Sequence, residues 1–139
     1  MSVPDRVVFD AEPLIAHADG ELGTEVVEEY LDAVAVKNTI GYASYVNLAD
    51  IRYTIARKYD RDTADEYLDW LTDLGIKRVD VGDTWTDASE YTLKYNPALG
   101  DSFALATAGH VDATLLVGGD DDYDNVSGIP VERFRDGSA

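Results

Sequence analysis

Apolar positions along this chain fall into two alternating patterns. Short runs such as RVVF (6–9), NTIGY (38–42), IKRVDV (76–81), ATLLV (113–117) and IPVERF (129–134) read as strands. Between them lie segments with the 3.6-residue spacing of amphipathic helices. AEPLIAHA (11–18) is a short helix, with Asp10 as its natural cap and Pro13 in its first turn. ELGTEVVEEYLDAVAV (21–36) carries Val26, Val27, Tyr30, Leu31 and Val34 at helical spacing. Ser44 caps YVNLADIRYTIARKY (45–59), whose core stripe is Leu48, Ile51 and Ile55. DTADEYLDWLTDLG (62–75) turns Tyr67, Leu68, Leu71 and Leu74 inward and stops at Gly75. TWTDASEYTLKY (84–95) and DSFALATAGH (101–110) are further helices, with NPALG (96–100) as a loop between them.

Strands that alternate with helices predict an α/β fold of three layers, α/β/α, with a central, mainly parallel sheet. No repeat, linker or long low-complexity stretch interrupts the pattern, so the 139 residues are expected to form a single domain with a short polar tail at 135–139.

Composition narrows the chemistry. With 45% hydrophobic residues the chain can build a real core and is no disordered acidic tail. No apolar run approaches membrane-spanning length and the N-terminus lacks a signal-peptide pattern, so a cytoplasmic protein with no membrane partner is expected. There is no cysteine, which removes disulfides, thiol nucleophiles and cysteine-rich zinc sites. The two histidines, His17 and His110, lack zinc-ligand spacing. A metal here would be bound through oxygen, which suits Mg²⁺, Mn²⁺ or Ca²⁺.

The formal net charge is −17, from 28 acids against 11 bases, and the only lysines are Lys37, Lys58, Lys77 and Lys94. This balance resembles the acid-rich, lysine-poor proteins of salt-accumulating halophiles. At molar salt the Debye length falls to roughly 3 Å, so self-repulsion is heavily screened. The global charge then reports habitat rather than partner. Because one residue in five is acidic, only the placement of an acid carries information.

Four acids occupy special places. In open α/β sheets ligands bind beyond the carboxyl ends of the strands. Asp10 directly follows RVVF, and Asp120 follows ATLLVGG. Asp101 heads a small-residue helix after a loop. Asp50 lies mid-helix on the side of Asn47 and Thr54, at the edge of the core. Each also has a plain structural reading: Asp10 and Asp101 as helix caps worth about 1 kcal/mol each, Asp120 as a turn-former, Asp50 as a satisfied edge acid. A cap can also be a ligand.

The blocks VVFDAEPLI, VNLADIRYTIARKY, LGDSFALATA and TLLVGGDDDY, in that order and spacing, resemble the PIN domain family, especially its VapC-type toxins. The likeness spans residues 6 to about 123. It implies that Asp10, Asp50, Asp101 and Asp120 converge to hold one or two Mg²⁺ or Mn²⁺ ions, used to activate water for RNA cleavage, with Asp122 as a fifth ligand through water. It also implies an RNA substrate, a VapB-type antitoxin partner and a homodimer. Two positions depart from the family pattern. Asp50 stands where Glu is usual, and Gly118 stands where Thr or Ser usually precedes the Gly-Asp of the fourth block. The shorter arm shifts or weakens coordination, and the missing hydroxyl can no longer orient a carboxylate.

Arg52, Arg57, Lys58 and Arg61 lie along and just beyond the Asp50 helix, either as a basic lane for RNA or as partners of neighbouring acids. Tyr42, Tyr45, Tyr53 and Tyr59 are either base-stacking platforms or core and interface residues. Asp121 and Asp124 are read as solvated. DDDYDNVSGIPVE is no EF-hand, since Asn125 and Val131 occupy its sixth and twelfth positions. Two other functions compete with a nuclease. One is a PIN-like module that binds RNA or protein without cutting. The other is a receiver-type signalling domain, which would need paired acids after the first strand and a late lysine; Phe9 precedes Asp10 and no lysine follows Lys94.

Overall fold

The computed structural model describes residues 3–119 and 121–135, with Asp121 through its backbone only. Five strands, β1 (Arg6–Phe9), β2 (Ile40–Ser44), β3 (Lys77–Val79), β4 (Thr114–Val117) and β5 (Val131–Arg133), form one sheet in the order β3-β2-β1-β4-β5. Every pairing is parallel. Among the described residues six α-helices connect them: α1 (Ala11–Ala18), α2 (Glu25–Ala35), α3 (Tyr45–Lys58), α4 (Arg61–Leu74), α5 (Trp85–Tyr95) and α6 (Leu99–Val111).

The strand alternation explains the layers. Val7 and Phe9 of β1 and Leu116 of β4 pack with Leu14, Val27, Leu31, Ile51 and Leu68 of the first four helices. Val8, Leu115 and Val117 turn to the other face and pack on Ala104, Leu105 and Ala108 of α6. Helix α5 backs α6 through Ala88 against Phe103 and Ala106. The central strands are buried on both faces, as a parallel sheet requires. Gly41 keeps the first layer close: a Cβ there would stand 2.8 Å from both Ile76 Cδ1 and Val34 Cγ2.

The expected elements are all present, with shifted ends. Strand β2 begins two residues later than NTIGY suggests, and α2 starts at Glu25 rather than residue 21. Ser44 caps α3 by accepting from Val46 N–H at 3.2 Å. Helix α6 begins at Leu99, inside the stretch read as a loop, so Asp101 lies in its first turn and Ala98 is the cap position. Pro and Gly suggested a loop, yet both are tolerated at a helix start, where backbone N–H groups have no intrahelical partner. Of the tail, residues 136–139 lie outside the described residues. Among the described residues, no helix is long and apolar enough to cross a membrane.

Candidate active site

From β1 the chain builds outward through β2 and β3, then returns to lay β4 and β5 on the opposite side. In a parallel sheet that reversal opens a crevice at the carboxyl ends of β1 and β4. Asp10 sits in it. Its backbone N–H donates to Leu116 O at 3.0 Å, fixing it to the end of β4. Its Oδ1 accepts from Ala11 N–H at 2.8 Å, so it caps α1 as expected. Oδ2 is engaged differently: the Tyr123 hydroxyl donates to it at 2.6 Å. Asn47 of α3 donates from Nδ2 to Asp10 Oδ1 at 3.4 Å and to Gly100 O at 3.1 Å. One buried amide thereby links the starts of α1, α3 and α6.

Asp101 stands within hydrogen-bond reach of both Asp10 and Tyr123. A hydrogen bond between two carboxyl groups needs a proton on one of them. Burial pushes Asp10 up from 3.8 to about 6, against the downward pull of its bonds to Tyr123, Ala11 and Asp101, and the negative charge of Glu12 adds a further upward push. Crowded carboxylates without a cation are expected to retain a proton in this way. Burial also drives the Tyr123 phenol far above its usual value, with the charges of Asp10 and Asp101 adding to it. Tyr123 therefore remains a donor at any physiological pH.

Asp10, Asp50 and Asp101 line one cleft of about 310 Å³, together with Asn47, Glu12, Glu21 and Arg135. Asp50 reaches it from the rim. It is exposed rather than tucked at the core edge, and Thr54 Oγ1 donates to it at 3.3 Å. Asn47, Leu48, Ile51 and Ile55 are the residues of α3 that face inward, which leaves Asp50 outside that stripe. Asp122 accepts from Ala98 N–H at 3.2 Å, bracing the entry to α6. Asp124, exposed as expected, pairs with Arg133 at 2.6 Å. Asp120 lies outside the described residues.

The donors suit a hard cation. They are carboxylates, joined by the Asn47 carbonyl Oδ1, a buried oxygen with no hydrogen-bond partner among the described residues. An all-oxygen set of this kind fits Mg²⁺ or Mn²⁺ rather than a soft metal. Among the described residues no three acids stand close enough to hold an ion by themselves. Sequence reasoning missed Tyr123, hidden in a run of aspartates, and the bracing role of Asn47. It also missed the Glu12–Arg135 pair, whose Nη2–Oε2 distance is 3.0 Å.

A second concavity, of about 570 Å³, opens from Ala49 along α3 and the start of α4, with Arg52, Tyr53, Arg57, Tyr59 and Arg61 on its walls. The basic residues divide between ion pairs with acids and contacts to tyrosine. Arg52 pairs with Asp65 at 2.7 Å, and Lys58 pairs with Asp19. Arg57 instead donates to the Tyr53 hydroxyl at 2.8 Å and lies over its ring. Tyr45, Tyr53 and Tyr59 are exposed, so none of these three is a core residue; Tyr42 is half-buried.

The PIN domain family profile matches residues 7–129. The chain belongs to the PIN domain family. Three solved structures share its fold at low sequence identity. VapBC2 from Rickettsia felis, bound to a DNA fragment from their promoter, aligns with TM-score 0.71 and 13% identity over 92% of this chain and 98% of that chain. DNA-bound VapBC from Salmonella typhimurium gives 0.71 and 12% over 93% and 98%. A toxin–antitoxin complex from Klebsiella pneumoniae gives 0.67 and 17% over 88% and 94%. A comparison with curated protein sequences gave no match.

Proposed function

We propose that this protein is a VapC-type toxin, a Mg²⁺- or Mn²⁺-dependent ribonuclease that hydrolyses RNA phosphodiester bonds and is neutralised by a VapB-type antitoxin. The reading rests on one observation above all: a buried carboxylate, Asp10, meets Asp101 at the switch point of a PIN fold. The similarity of the fold to chains solved in VapBC complexes supports the antitoxin partner. In this reading the whole chain acts as one domain and pairs with a second copy.

When bound, the cation supplies an activated water and offsets charge on the phosphoryl oxygens. The chain's own residues prepare for that. Asp10, Asp101 and Asp50 would hold it, with Asp120 and Asp122 as the further ligands of the set. Tyr123 and Asn47 hold Asp10 in a fixed rotamer by donating to its two oxygens. Such outer partners orient a ligand and set its basicity.

The test is RNA cleavage at high salt with Mn²⁺ or Mg²⁺, comparing wild type with Asp10→Asn and Asp101→Asn. Loss of cleavage in both variants supports the assignment; equal cleavage by all three refutes it. The exposed position of Asp50, and the absence of three converging acids among the described residues, favour a second reading: a PIN-like module that binds RNA or protein without turnover. That reading predicts RNA or partner binding with no cation-dependent product.

A further inference from the structure

Gly118 is not a glycine for backbone reasons, since its φ lies outside the left-handed region. The space beside its Cα is occupied instead. A Cβ at this position would stand 1.9 Å from Glu12 Oε2, 2.0 Å from Cδ and 2.4 Å from Oε1. The Glu12 carboxylate therefore fills the volume that any other residue at 118 would take. It is held there by Gly119 N–H at 3.4 Å and by Arg135, whose Nε and Nη2 donate to Oε2 at 3.3 and 3.0 Å. Arg135 Nη1 is engaged by Glu21 at 2.9 Å.

One guanidinium thus serves two carboxylates, and the trio keeps a net charge of −1. It lines the same cleft as Asp10, Asp50 and Asp101, and Glu12 is close enough to Asp10 for its charge to be felt there. A second carboxylate beside a buried one is unfavourable, and Arg135, shared with Glu21, offsets that repulsion only in part. Asn47 Oδ1, buried and without a partner among the described residues, belongs to a residue lining the same cleft.

We propose that Glu12 is a further carboxylate of the cation site, seated by Gly118 and held back from Asp10 by Arg135. The residue at 118 and the residue at 12 then act as one unit. The place of the side chain missing at 118 is taken by an acid from α1, which turns a loss in the fourth block into an added oxygen donor. This inference rests on the acid cleft binding a divalent cation, and its test separates the two.

Mn²⁺ binding to the full chain is measured at high salt by electron paramagnetic resonance, with circular dichroism confirming that each variant is folded. Glu12→Gln is expected to weaken Mn²⁺ binding about 10-fold, the scale for an oriented ligand or its support. Gly118→Ser, which displaces the Glu12 carboxylate without removing its charge, should weaken it by a similar factor, and the double variant no further. Arg135→Gln, which frees Glu12, should bind Mn²⁺ as well as wild type or better. Parallel losses in Glu12→Gln and Arg135→Gln would mark the pair as a structural clamp and overturn the proposal. So would additive losses in the double variant. If Asp10→Asn abolishes Mn²⁺ binding while Glu12→Gln leaves it intact, the acid cleft stands and Glu12 does not belong to it. If wild type itself binds no Mn²⁺, the nuclease reading fails and Glu12 falls with it. Glu12→Gln, at a half-buried helix position, keeps the test decisive even if Gly118→Ser does not fold.

Discussion

The burden carried by Asp10 can be read from stability alone. Its carboxyl is pushed up from 3.8 to about 6 in the folded chain, chiefly by burial. At about 1.36 kcal/mol for each tenfold change in proton affinity, that amounts to about 3 kcal/mol. The folded chain favours protonated Asp10. The resulting stabilisation is complete below 3.8 and is lost as pH rises through 6. Asp10→Asn cannot ionise and escapes that loss. Relative to wild type, the variant is therefore expected to gain about 3 kcal/mol between pH 3.5 and 7.5, roughly half of it by pH 5. For a chain of this length the gain corresponds to a melting temperature about 10 °C higher than it would otherwise be. Contacts altered by the substitution shift the difference by a constant, and the pH dependence reports the charge that Asp10 shares with Asp101. The assay is thermal melting of both proteins at constant high salt with a chelator present. A difference that stays flat across this range refutes the account of a buried, cation-seeking carboxylate.

Four other outcomes follow from the same geometry. Tyr123→Phe removes the hydroxyl that donates to Asp10 Oδ2, so the folded-state titration of Asp10 should move above 6 and the stability difference just described should keep growing to higher pH, at a cost of about 1–3 kcal/mol at neutral pH. Gly41→Ala should cost about 1–3 kcal/mol in chemical denaturation, because its methyl meets Val34 and Ile76 in a packed layer. Arg57→Gln with Arg61→Gln should weaken binding of single-stranded RNA several-fold in fluorescence anisotropy while leaving Mn²⁺ affinity unchanged; unchanged RNA affinity would remove the basic lane. Dialysis from molar salt to salt-free buffer should unfold the chain, as read by circular dichroism, since 28 acids then repel one another over a longer range.

What the sequence discloses depends on how far each fact reaches along the chain. Strand and helix identity is local, and the alternation of RVVF, NTIGY and ATLLV with amphipathic stretches was sufficient to identify the five strands and six α-helices, though not all of their ends. Asp10 was legible because a cap signal and a strand end coincide at one residue. The start of α6 was misplaced by local cues, because Pro97 and Gly100 suggest a loop until the packing of Phe103 and Leu105 is known. The face of Asp50 was misjudged because α3 buries Asn47 alongside its apolar stripe, and a buried amide is not an expected core residue. Tyr123 and Arg135 were invisible for a stronger reason: their partners lie 113 and 123 residues away. No periodicity or motif encodes such pairings.

The separation of Asp10 from Tyr123 has a consequence for biosynthesis. A ribosome working at about 5–20 residues per second delivers Asp10 many seconds before the phenol that steadies it. Strand β4, which flanks Asp10, and the Arg135 that grips α1 also emerge late. A nascent chain stalled before residue 114 would thus carry Asp10 beside an unfinished sheet. The crevice is complete only once residues 114–135 have been added.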